Sequence, residues 1–159
     1  MSMFSAFNIN ASGMTAQRYR MDIISENVAN ANTTRTADGT PYRRKTLVFA
    51  EKGGQTTPGH VQHHIDFSHA LNQAMNSQVY TGKGVKVTGV YKDYETEMNM
   101  VYDPSHPDAD ENGYVTYPNV DTITEMTNLI DASRAYEANA TAFTASKHIA
   151  TTGLNMMNG

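Results

Sequence analysis

Heptad spacing at both ends of the chain, and its absence between them, constrains the fold more than any other feature. Phe7, Met14, Met21 and Val28 recur every seven residues, with Ala11, Ile24 and Ala31 on neighbouring positions of the same face. The pattern predicts an amphipathic helix over about residues 4–29. At the other end Leu129, Tyr136, Phe143, Ala150 and Met157 keep the same period. Met126, Ser133, Ala140 and Leu154 are their companions, and Ile123 and Ile130 widen the stripe at its start. A second helix is expected over about residues 121–155, with Asp121 or Thr122 as N-cap and Glu125 at capping-box spacing from Thr122. Two such stripes can bury one another, although Gln17 and Lys147 interrupt them. Gly13 sits inside the first helix at a cost of about 1 kcal/mol relative to Ala. It predicts either a close approach by another helix or loosely held first turns.

Between residues 33 and 119 the helical period is lost. A polar, turn-rich link over residues 32–41 opens the segment, and strand candidates follow at 42–49, 85–94, 98–102 and 114–117. Phe67, Leu71, Ala74, Met75 and Val79 fit a short helix. The expected fold class is α+β. Long N- and C-terminal helices would pair as a coiled-coil-like domain, with a small β-rich domain inserted between them. The expected divisions are 1–34, 35–119 with a flexible insert near 53–81, and 120–159.

Composition bears on whether such a chain stands alone. Hydrophobic residues make up 39%, with no Trp and only five Phe, so a lone monomer buries little apolar surface against a large ordering entropy. A core completed by copies of itself or by partners is expected. The net charge of −4 leaves no global basic footprint for nucleic acid. Charge is also segregated: ten acidic residues and no Lys or Arg lie between Lys92 and Arg134, whereas residues 35–52 hold five bases against Asp38 and Glu51. The pattern fits complementary patches between subunits. Arg43 and Arg44 are the inter-subunit candidates, since guanidinium groups pair bidentately with carboxylates such as Asp108 or Asp110 of a neighbour. Cysteine is absent, which excludes disulfides and thiolate metal sites. The first ten residues lack a basic and an apolar region, so no cleaved signal peptide is expected. No apolar run reaches the length of a membrane span, and no direct membrane insertion is expected.

Few constellations carry chemistry. His60, His63, His64 and His69 have a spacing that can bind zinc or nickel, but only Asp66 adds a ligand type nearby, and Gly, Gln and Thr flank the cluster as in a loop. A metal-binding protein built on this cluster is the more remote alternative. Residues 108–113 copy the first half of a calcium loop, yet Asn119 stands where a bidentate Glu is needed, and Pro104, Pro107 and Pro118 oppose flanking helices. Turn chemistry explains them more simply. There is no nucleophile elbow or phosphate loop, and Gly82-Lys83-Gly84 is too short for one. No catalytic residue, metal or cofactor is expected, and the chain is not read as an enzyme.

The run Ser25-Glu26-Asn27-Val28-Ala29-Asn30-Ala31-Asn32-Thr33 resembles the N-terminal signature of flagellar rod and hook axial proteins. Its asparagines, unusual inside a helix, read as a helix end with a specified exit. The stretch around Arg134, Tyr136 and Asn139 is similar to the family's C-terminal motif. In the middle, Tyr42 with its basic followers is similar to the proximal-rod branch, the FlgC family. So is the proline-punctuated run carrying Asp103, Pro104, Asp108, Asp110, Gly113, Tyr114, Pro118 and Asn119. Residues 53–81 match least. The resemblance implies a non-catalytic subunit of the proximal rod that transmits torque from the motor to the distal rod and hook. Its partners would be itself, FlgB-type and distal rod proteins, the export-gate adaptor and the flagellar type III export apparatus. Its place would be the basal body, outside the cytoplasmic membrane, reached without a cleaved signal. A FlgB-type rod or hook-type axial protein is the nearer alternative.

Overall fold

Residues 3–52 and 82–158 are described by the computed structural model of the chain. Helix α1 occupies Met3–Ala29, strands β1 to β4 occupy Lys45–Glu51, Val85–Lys92, Asn99–Tyr102 and Tyr114–Tyr117, and helix α2 occupies Thr122–Asn158. The class is mixed α+β. The histidine cluster and the helix expected within residues 67–79 lie outside the described residues. No described helix is long and apolar enough to cross a membrane.

The two helices pack against each other and run antiparallel, as three contacts in reverse order show. Phe7 meets the Phe143 ring edge-on at 5.0 Å, Gly13 faces Asn139, and Asn27 donates to Glu125 at 3.0 Å. The helices approach closely at Gly13: a Cβ added there would sit 2.6 Å from Oδ1 of Asn139. Asn139 cannot easily retreat, because its amide donates to the carbonyl of Ala135 on its own helix at 2.7 Å. The helix-breaking residue is thus placed where the second helix needs room.

The phase of α2 differs from the expected seam. Glu125 and Ala132 are buried and Asn139 is half-buried, whereas Met126 is 52% exposed. At the start of α2 the deepest companions are therefore Glu125 and Ala132, one residue before Met126 and Ser133, while Ser133 and Ala140 are half-buried like Asn139. Two anchors set this rotation: Glu125 is bonded inward, and Asn139 lies on Gly13. Leu129 and Phe143 remain half-buried, and Tyr136 lies at the rim. On α1, Phe7, Met14, Met21 and Val28 are half-buried flanks, while Ala16, Ile23, Ile24 and Asn27 take the deepest positions. Their column is buried because α1 packs on both α2 and the β1–β2 hairpin.

Strands β1 and β2 pair antiparallel with an irregularity between Val48 and Phe49, and β3 and β4 form a separate antiparallel pair. The first hairpin is fastened to α1 at Ser12, whose Oγ accepts from the Val85 N–H at 3.1 Å. Gly84 makes this possible: its φ is +93, and a Cβ there would lie 2.2 Å from the same oxygen. Strand β1 starts three residues later than expected, because Tyr42, Arg43 and Arg44 bond to residues outside the ladder. Asp121 caps α2 through the Ile123 N–H and the Thr124 hydroxyl, so Glu125 does not close a capping box.

The close approach generates a prediction. On an unobstructed helix Gly13→Ala would add about 1 kcal/mol of stability. Here it should lower the urea midpoint, and adding Asn139→Ala should restore or exceed the wild-type midpoint. A stabilising Gly13→Ala alone would contradict the contact.

Candidate functional site

The feature that organises this chain is a buried polar junction where α1 ends, β1 begins and α2 begins. Asn27 is 1% exposed, and its amide makes four hydrogen bonds. Its Nδ2 donates to the Lys45 carbonyl at 2.9 Å and to Glu125 Oε2 at 3.0 Å. Its Oδ1 accepts from the Tyr42 hydroxyl and the Lys45 N–H, both at 2.9 Å. Every donor and acceptor of the amide is satisfied. Toward Lys45 the side chain acts like a neighbouring strand, taking both backbone groups of one residue.

Glu125, also 1% exposed, receives Asn27 on one oxygen and Arg44 on the other. Arg44 donates through Nε at 2.8 Å and Nη2 at 2.7 Å, both to Oε1. A buried carboxylate is tolerable because its charge is paired and its lone pairs are occupied. Asn119 extends the junction: Oδ1 accepts from the Arg44 N–H at 2.9 Å, and Nδ2 donates to the carbonyls of Asp93 and Thr96. Lys45 Nζ reaches Glu26 on α1. Burial first, then the charges of Glu26 and Glu125, push the Tyr42 phenol up to about 12.

Several expected residues converge here: Asn27, Tyr42, Arg44 and Asn119. Arg44 is therefore committed inside the subunit, with Glu125 rather than a neighbour's Asp108 or Asp110 as partner. Arg43 donates to the Asp93 carbonyl at 3.2 Å and lies over the Tyr94 ring at 4.7 Å. Asn30 bonds back to the Glu26 carbonyl and accepts from Thr33, shaping the helix exit, while Asn32 is exposed. Asp108 accepts from the Thr34 hydroxyl at 2.8 Å and faces the exposed Arg35 at 3.6 Å, a surface pair of small energetic weight. Asp110 accepts from the N–H groups of Asn112 and Tyr114, so its carboxylate closes a turn. Gly113 takes a φ of +80 in that turn, beside Pro104 and under the Tyr102 ring. Serine hydrogen bonds hold the Asp103 carboxyl below its ordinary range. Tyr114 meets Tyr102 edge-on at 5.3 Å, Pro118 is buried and Arg134 is exposed.

Glu125 and Lys45 were not singled out as site residues from sequence. A signal existed for Glu125: it is a carboxylate in the first turn of a helix with no Lys or Arg three or four residues on, where Asn128 and Leu129 stand.

Asn27→Asp preserves shape but turns two donors into acceptors facing a carbonyl and a carboxylate. It should cost roughly 3 kcal/mol or more in urea unfolding. The Tyr42 shift also has a defined sign. Because the folded phenol holds its proton up to about 12, against an ordinary 10.0, its contribution is fully present below pH 10 and disappears as pH rises through 12. The difference in stability between wild type and Tyr42→Phe should therefore shrink over that window. A difference constant with pH would show that the phenol is not held in its neutral form.

The family comparisons fit this geometry at both ends. A family model described as flagella basal body rod protein matches residues 7–35, and the flagellar basal body rod FlgEFG protein C-terminal model matches residues 111–156. The two matches carry Asn27 and the pair Asn119 and Glu125. The flagellar basal-body rod protein FlgC of Bacillus subtilis is 42% identical over 92% of this chain and 93% of its own length. That of Borreliella burgdorferi is 38% identical over the full length of both chains. That of Salmonella typhimurium is 37% identical over 87% of this chain and 86% of its own. With such identity over nearly the whole chain, the chain belongs to the FlgC family of flagellar basal-body rod proteins.

Proposed function

We propose that the chain is a structural subunit of the proximal rod of the bacterial flagellum, polymerising to carry torque from the motor toward the distal rod and hook. The observation that carries this reading is the similarity to FlgC proteins across nearly the whole chain. The work of such a subunit is contact, not catalysis.

The distribution of apolar side chains supports a polymer. Ile123, Met126 and Ile130 follow helical spacing on the first turns of α2 and are 78%, 52% and 54% exposed. In the assembled rod, helices of neighbouring subunits would cover this strip, and the terminal helices would form the coiled-coil-like inner layer. The segment over residues 35–119 would then lie outside it and select neighbours. FlgB-type and distal rod proteins and the export-gate adaptor are the partners this reading implies. Delivery outside the cytoplasmic membrane would use the flagellar type III apparatus, without a cleaved signal. Passage of an unfolded chain is compatible with the absence of cysteine and with a core built largely of small and polar groups.

Electron micrographs of basal bodies from a strain lacking this protein test the reading. Basal bodies without a distal rod or hook are expected, with motility restored by the wild-type chain; complete rods would overturn it. Ile123→Glu with Ile130→Glu should leave the purified chain folded, since both side chains are already in water, while abolishing swimming.

A further inference from the structure

The β3–β4 hairpin exposes three large side chains on one face. Met100 and Tyr102 point to the same side of β3, and Tyr102 stands opposite Tyr114 in the register. All three are exposed, while Val115, on the opposite side, is fully buried. Beside this aromatic face, the loop joining the strands carries Asp103, Asp110 and Glu111, and it contains no Lys or Arg.

A matching surface lies elsewhere on the same molecule. Between α1 and β2 runs an apolar groove of about 510 Å³, lined by Ala11, Tyr19, Val85 and Val87, with Lys52 and Lys86 beside them. Lys83, two residues before Val85 in sequence, is exposed. Among the described residues, no ion pair involves Lys52, Lys83 or Lys86. Residues 53–81 contain one carboxylate, Asp66, and so cannot neutralise three lysines.

The two surfaces cannot meet within one molecule. The groove end is bound to α1 at Ser12, whereas the acidic loop is bound to Thr34, beyond the helix C-terminus. Residues 12 to 29 of a helix alone extend about 25 Å. A second copy can bring together what a single copy holds apart.

We propose that the aromatic face and acidic loop of the β3–β4 hairpin of one copy seat in the lysine-sided groove between α1 and β2 of a second copy. The contact is heterologous, using different surfaces of the two copies, so it propagates along a chain of subunits instead of closing a dimer. Apolar side chains fill the groove while the charges set register and exclude wrong neighbours. The contact rests on the rod-subunit reading and specifies one of its interfaces.

Purified full-length proteins test it in the ultracentrifuge. Wild type should form a salt-sensitive ladder. Lys52→Glu with Lys86→Glu, and separately Glu111→Lys with Asn112→Lys, should each weaken association about tenfold or more. Each variant should keep the wild-type circular dichroism spectrum, and an equimolar mixture should associate again, since each groove then matches the other's hairpin. Folded variants that associate like wild type, or a mixture that stays monomeric, overturn the contact. Should wild type remain monomeric in solution, oxidation of rods assembled from a Lys86→Cys, Glu111→Cys chain decides: a ladder of cross-linked copies supports the contact. Complete rods without any cross-link overturn it and leave the rod reading standing, whereas complete rods in a strain lacking the chain overturn the rod reading itself.

Discussion

The meeting of α1, β1 and α2 depends on one side chain near the end of α1. The Asn27 amide satisfies Lys45 of β1, Tyr42 before that strand and Glu125 in the first turn of α2. Three segments separated by up to 98 residues thus meet at one planar group. An amide suits this position because it offers two donors and two acceptors in fixed directions. Aspartate lacks the donors, and an aliphatic residue would orphan both Lys45 backbone groups and one Glu125 oxygen. The entropic cost of bringing distant segments together is met at a single point, from which the helix pair and the β1–β2 hairpin diverge.

A polar junction has a different consequence from an apolar one. Hydrophobic contacts tolerate sliding, because their energy depends weakly on direction, whereas a saturated hydrogen-bond network permits one geometry. The junction therefore fixes the rotation of α2 about its axis and decides which of its columns face α1. Glu125, Ala132 and Asn139 turn inward; Ile123, Met126 and Ile130 are left outside. For a monomer this is a poor use of apolar residues. In a polymer the same strip can be covered by neighbouring subunits, and folding by polar bonds keeps it available for them.

Much of the secondary structure was legible in the sequence, since heptad spacing and alternating strand residues are local signals. Both helices fall within three residues of their expected limits, and β4 falls where it was expected. Two things were not legible, for separate reasons. The phase at the start of α2 is not legible because its seam is small and polar: periodicity gives the repeat, but it cannot choose between adjacent columns when neither is strongly apolar. The junction was visible only as the motif residues Asn27, Tyr42 and Asn119, because these and Glu125 gain meaning from partners far away in the chain. Arg44 shows the same limit. Its sequence neighbourhood marked it as a base available to another subunit, while its partner, 81 residues on, was already within the chain.

The same reasoning separates bases that hold the fold from bases left to recognise neighbours. Arg44 and Lys45 lie at the junction, facing Glu125 and Glu26, and part of the charge near β1 is neutralised there. Lys52, Lys83 and Lys86 lie at the other end of the β1–β2 hairpin, with only Glu51 as a carboxylate on those two strands. The acidic segment is divided likewise. Glu125 is buried as a structural counter-ion, Asp121 caps a helix and Asp110 closes a turn, while Glu111 is exposed. The charge segregation visible in the sequence is thus a mixture of two classes, and burial, not sequence position, tells them apart. Removing an internal charge leaves its partner desolvated and threatens the fold, whereas removing an external one leaves the fold intact and alters only which neighbour the subunit accepts.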